Sequence, residues 1–162
     1  MIEDLGSHQG KAIAFGYDRH ALPELEAYAR MLAEAGPVES AVDRARLHYL
    51  TSAERVCARL GRSPAAVGVL LCATGLGVCI AANKFRGVYA ARCLSVADAR
   101  AARAINNANV VCLALTSSLA LNRAIVEAFL ATPYDGRKLD ELVYLRHLEG
   151  DDDTPGRLTS SG

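Results

Sequence analysis

Apolar residues come in two rhythms along this chain, and the alternation between them predicts its architecture. Short, nearly unbroken apolar runs occupy residues 11–16 (KAIAFG), 66–72 (AVGVLLC), 88–92 and 109–115, as expected of strands buried on both faces. Between them, residues 23–34 (PELEAYARMLAE), 49–60, 75–85, 96–106, 119–130 and 138–148 repeat apolar positions at helical spacing. Gly36-Pro37 ends the first of these helices, and residues 133–136 (PYDG) read as a turn. A weaker strand is expected at 38–42. Strands alternating with helices predict an α/β domain whose parallel sheet is covered on both faces. The domain is expected to span 11–149. Residues 1–10 read as a flexible N-terminus, and 150–162, acidic and then rich in polar residues, as a disordered tail.

Composition narrows the function classes. The chain has 162 residues, long enough for one domain with a real core, and 51% of them are hydrophobic. Formal net charge is zero, so no global footprint for nucleic acid is present. No apolar run approaches the roughly 20 residues needed to span a bilayer. The N-terminus lacks the basic and then apolar pattern of a signal peptide. Five cysteines at 57, 72, 79, 93 and 112, without a CxxC pair, read as reduced cytoplasmic thiols and not as disulfides or a zinc site. No metal and no cofactor are expected.

The richest stretch runs from Val67 through Cys72-Ala73-Thr74-Gly75-Leu76-Gly77 to Asn83-Lys84. A buried strand ends in a cysteine, a glycine-containing loop follows, and a helix opens. That order sets a thiol beside backbone N–H groups and a helix N-terminus, a place that can hold an anion or favour a thiolate. The same cysteine also suits a small buried hydrophobe, and the same glycines suit an ordinary turn. In a doubly wound sheet, ligands bind at the carboxyl ends of strands. Gly16-Tyr17-Asp18-Arg19-His20, after the first strand, therefore belongs to the same edge. Asp18 there reads either as a substrate ligand or as a cap of the next turn. Cys57, Cys79, Cys93 and Cys112 read as core or incidental. Asn83-Lys84 fits a helix end, and residues 106–109 (NNAN) fit either a sugar site or a helix end and turn.

Four segments carry a resemblance: AFGYD (14–18), LLCATGLGVCIAANKFRGV (70–88), NNANV (106–110) and AFLATPYDG (128–136). Together they resemble the family of ribose-5-phosphate isomerase B and galactose-6-phosphate isomerase, over roughly residues 11–148. The resemblance implies a Rossmann-like three-layer α/β/α sandwich with a central, mostly parallel sheet of about five strands. It implies reversible aldose–ketose isomerisation of a phosphorylated sugar, without metal, in a homodimer or dimer of dimers whose sites lie between subunits. Cys72 would remove the proton beside the carbonyl, giving a cis-enediolate. Thr74 and the backbone of Ala73, Gly75 and Gly77 would hold the oxyanion, and Asp18 would contact sugar hydroxyls. Arg19, His20, Asn106, Arg137 and Lys138 would complete substrate binding.

The departures from that family are specific. Arg19 stands where a histidine is usual, with His20 one position on, and Ala73 replaces a glycine. Tyr89 replaces an arginine, and Ile105 replaces the ring-opening histidine. The two phosphate-binding arginines become Lys138 and Leu142. Galactose-6-phosphate isomerase pairs a cysteine-bearing subunit that lacks the histidine and arginines with a related subunit that supplies them. Two alternatives to a self-sufficient isomerase follow. One is a cysteine-bearing subunit in a hetero-oligomer with a paralogue. The other is a non-catalytic sugar-phosphate-binding homologue.

Overall fold

A computed structural model describes residues 4–63 and 65–150. Five strands, β1 (Ala12–Tyr17), β2 (Val38–Ser40), β3 (Ala66–Cys72), β4 (Ala90–Arg92) and β5 (Val110–Ala114), form one sheet in the order β2-β1-β3-β5-β4. Every pairing is parallel. The helices are α1 (Leu25–Ala35), α2 (Tyr49–Arg62), α3 (Leu76–Ala82), α4 (Val96–Ala104), α5 (Leu119–Ala131) and α6 (Leu139–Leu148). Tyr28, Met31 and Leu32 of α1, Ala99 and Ala102 of α4 and Ile125 and Phe129 of α5 pack on one face, against Val67, Val69, Leu71 and Leu113. Ala53, Val56 and Leu60 of α2 and Val78 and Ala82 of α3 pack on the other, against Ala14, Leu70, Cys72 and Cys112. This is the expected three-layer sandwich. All seven residues of β3 are buried, which is why its apolar run is unbroken.

The chain reverses its direction of winding between β1 and β3. Their carboxyl ends, Asp18 and Cys72, thus open on the crevice where this architecture places ligands. Period-two alternation puts Ala14, Leu70, Cys72 and Cys112 on one side of the sheet. Arg92, in register with Cys112, shares that side.

Several boundaries differ from expectation by about two residues, and three have a clear cause. Residues 19–24 form a 3₁₀ turn and α1 begins only at Leu25, because Asp18 caps the turn through the His20 N–H and Pro23 brings no donor of its own. α3 stops at Ala82, where the Asn83 side chain takes over the Cys79 carbonyl at 3.0 Å. α4 stops at Ala104, and Asn107 turns the chain with φ of 47°.

Residues 4–10, expected to be flexible, are tied down, whereas 1–3 and 151–162 lie outside the described residues. Gly6 bridges Tyr134 through two backbone bonds of 2.8 and 3.0 Å, and the His8 N–H reaches the Leu130 carbonyl at 2.9 Å. The anchor is Arg103, fully buried, whose guanidinium donates to Asn107 Oδ1 and the Ala108 carbonyl at 2.7 Å each and to the Gly6 carbonyl at 3.0 Å. A buried guanidinium keeps its charge only where its N–H groups find acceptors, and these carbonyls supply them. Among the described residues, no helix is long and apolar enough to cross a membrane.

Candidate active site

Cys72 ends β3, and its Sγ accepts the Gly75 backbone N–H at 3.2 Å. The loop between them depends on its glycines. Gly75 has φ of 71°, and a Cβ there would lie 3.1 Å from the Leu113 carbonyl oxygen, which is fixed in β5. A Cβ on Gly77 would lie 3.0 Å from the Tyr49 ring of α2. The C-A-T-G-L-G pattern thus reflects a left-handed turn pressed between strand and helix. Gly75→Ala is expected to cost about 1–3 kcal/mol, from the positive φ alone. Urea unfolding measures it, and wild-type stability would contradict the need for glycine at this turn. Thr74 is exposed, with its Oγ1 accepting the Leu76 N–H at 3.3 Å.

Across the β1–β3 crevice, Asp18 is buried and holds His20 twice: Oδ1 accepts the His20 N–H at 2.9 Å, and Oδ2 lies 3.1 Å from the ring Nδ1. Its capping role is therefore real, and it aims an exposed imidazole over the same edge. Arg19 is exposed beside it. The carboxyl edge thus gathers Asp18, Arg19, His20, Cys72, Ala73, Thr74, Gly75 and Gly77.

Arg137 and Lys138 do not join them. They follow α5, which returns the chain to the amino ends of the strands, where Tyr134 pairs with Gly6. A seven-residue strand spans about 20 Å, too far for one small sugar to bridge. Lys138 is engaged with Glu141 at 3.2 Å. Leu142 is buried in a small apolar cluster with Tyr134, and Tyr89 packs against that cluster. Two of the departures from the family pattern, Tyr89 and Leu142, thus belong to one apolar cluster. Of the three asparagines in 106–109, two are structural. Asn107 binds Arg103, and Asn109 accepts the Tyr89 N–H at 2.9 Å and donates to the Gly87 carbonyl at 2.8 Å. Asn106 is exposed and lines a groove of about 420 Å³ along the free edge of β4, with Asn83, Tyr89, Arg92 and Asp98. Ile105 is exposed and carries no proton-transfer group.

Sequence reasoning missed two residues here. Arg92 ends β4 as Cys72 ends β3, and its Nε donates to the Thr74 carbonyl at 2.7 Å. Its position at a strand's carboxyl end was the available signal. Cys79 is the other. Unlike Cys57, Cys93 and Cys112, it is only half-buried. Its thiol is drawn down to about 7, chiefly by a hydrogen bond from the Cys112 thiol, with the Arg92 N–H and charge and the Asn83 amide adding to it against the effect of burial. Asn83 also closes the free edge of β4: its carboxamide donates to the Ala90 carbonyl and accepts the Ala90 N–H, both at 2.9 Å. A side chain there stands in for a neighbouring strand.

The family model described as Ribose/Galactose Isomerase matches residues 13–143. Ribose-5-phosphate isomerase B of Escherichia coli (strain K12) is 32% identical over 139 residues, covering 82% of this chain and 92% of that protein. D-erythrulose-4-phosphate isomerase of Pectobacterium atrosepticum is 39% identical over 87 residues, covering 51% of this chain and 57% of that one. Against several curated relatives the chain spans only about half their length. Among solved structures, type B ribose 5-phosphate isomerase from Trypanosoma cruzi superposes with a TM-score of 0.80 at 30% identity, covering 86% of this chain and 99% of that one.

Proposed function

Because this chain belongs to the ribose/galactose isomerase family, we propose that it interconverts an aldose phosphate and a ketose phosphate through a cis-enediolate, with Cys72 as the base. The observation that carries this reading is the Cys72 sulfur at the β1–β3 crevice, held as acceptor of the Gly75 N–H. Cys72 takes the proton from the carbon beside the carbonyl. The electron pair left behind moves onto the carbonyl oxygen, which the loop N–H groups and Thr74 stabilise. The neighbouring hydroxyl gives up its proton as the former carbonyl oxygen gains one, and return of the carbon-bound proton to the former carbonyl carbon leaves the carbonyl one position along. Asp18 and the His20 it holds face the sugar hydroxyls.

Ile105 favours an open-chain substrate. A four-carbon sugar phosphorylated on its terminal oxygen has no hydroxyl left to close a five-membered ring, so it needs no ring-opening acid. The name of the Pectobacterium relative points to the same class. Arg137 and Lys138 reach the same substrate only from a second chain, whether an identical copy or a paralogue.

Proton exchange in D2O tests the reading. Incubated with four-, five- and six-carbon aldose and ketose phosphates, the protein is expected to incorporate deuterium beside the carbonyl, fastest with the four-carbon esters. Absence of exchange with every sugar, both alone and with a family paralogue bearing the histidine and arginines, would leave the non-catalytic binding reading.

A further inference from the structure

A family isomerase must hold a phosphate, yet one expected arginine position is the buried Leu142 and the other is Lys138, already paired with Glu141. Within one chain, the carboxyl edge needs an anion anchor of its own. Resting on the isomerase reading, we infer that Arg92 is the substrate's anion clamp and determines its specificity for phosphorylated sugars.

Three observations carry this. The first is position. Arg92 stands at the carboxyl end of β4, on the same side of the sheet as Cys72, and reaches across β5 to the loop that Cys72 opens. Its contact is with Thr74, two residues from the proposed base.

The second is the state of the guanidinium. Nε is pinned to the Thr74 carbonyl at 2.7 Å, and the Arg92 stem lies 3.4 Å from where a Gly75 Cβ would stand. Among the described residues neither Nη atom has a partner, and the side chain is only half-buried. An arginine fixed through Nε and open at both Nη atoms presents its fork to an incoming anion, with its rotamers already restricted. Arg19 also lacks a protein partner, but nothing fixes its head.

The third is the surroundings. Arg92 opens on the β4 groove with Asn83, Tyr89 and Asn106, a space of about 420 Å³. The carboxylate in that groove, Asp98, is committed to the Leu94 and Ser95 N–H groups at 2.9 and 3.0 Å, as the cap of α4. Its bonded oxygen serves these backbone groups, and among the described residues it makes no ion pair with Arg92. A clamp built this way holds the anionic end of the substrate while the loop N–H groups face its carbonyl end.

The test separates binding from turnover. In the Cys72→Ala background, calorimetric affinities are measured for a four-carbon ketose 4-phosphate and for the same sugar without phosphate. Arg92→Ala is expected to weaken the ester about 10- to 100-fold, the range of a lost charge-assisted fork, and to leave the neutral sugar within about twofold. Arg92→Lys, which keeps the charge without the fork, falls between. Arg100→Ala, an exposed cation on α4, leaves both affinities unchanged. With Cys72 present, the loss appears in KM more than in kcat. Unchanged ester affinity in Arg92→Ala, or equal loss for ester and neutral sugar, would overturn the clamp. Arg92-dependent ester binding without any carbon-bound exchange would uphold the clamp and remove the isomerase reading instead.

Discussion

Cys72→Ala is expected to lower deuterium incorporation and kcat by about 10²–10⁴-fold, the contribution of a positioned general base. KM should change little, because the sulfur acts on the carbon-bound proton and not on the phosphate. The substitution removes one small atom from a site that is 5% exposed, so the fold should persist. Cys72→Ser sharpens the test. It restores size and an acceptor for the Gly75 N–H, so a purely structural role would be rescued. A role as base would not be, because an alcohol is a far weaker acid than a thiol. Full activity in either variant would dismiss Cys72 as the base and move attention to the Asp18–His20 pair on the same edge.

Acid is expected to weaken the fold through His8. Its imidazole is buried 4% exposed beneath the amino-terminal strap, with Nε2 at 3.2 Å from the Ala108 carbonyl and Nδ1 without a partner among the described residues. Burial first, then the charges of Arg103 and Lys11, pull its pKa from 6.5 to about 3, against the opposing effect of the Ala108 bond. The folded protein therefore keeps His8 neutral where the unfolded chain protonates it. Below pH 6.5 the unfolded state binds the extra proton, so stability falls as pH falls, down to the folded pKa near 3. At about 1.4 kcal/mol per unit, the loss between pH 6.5 and 4 is on the order of 3 kcal/mol. His8→Leu, which retains contact with Phe129, should show a shallower decline in urea unfolding over that range. Identical pH slopes in the two proteins would show that the strap opens locally without cost to the whole fold.

Both expectations concern groups whose importance was unevenly legible in the chain. The strand–helix alternation, the buried β3 and the Cys72 loop could be read directly. They depend on local periodicity and on turn chemistry between near neighbours in sequence. The crevice could be read as well, since strand ends follow from strand positions. His8 could not. It sits in a segment with no periodicity, and that segment is tied down by residues far along the chain: Arg103 and Tyr134 on Gly6, and the Leu130 carbonyl on the His8 N–H.

The same division runs through the site. Local sequence determined that a thiol, two glycines and a carboxylate would meet at one edge of a parallel sheet. Tertiary structure alone decided that Tyr89 joins the apolar cluster of Tyr134 and Leu142. It likewise committed Asn83 and Asn109 to bracing the backbone around β4, and pinned Arg92 to Thr74. Each of these is a contact between separate elements or loops that the fold brings together. Its existence depends on strand order and register, which no local pattern of apolar and polar residues encodes.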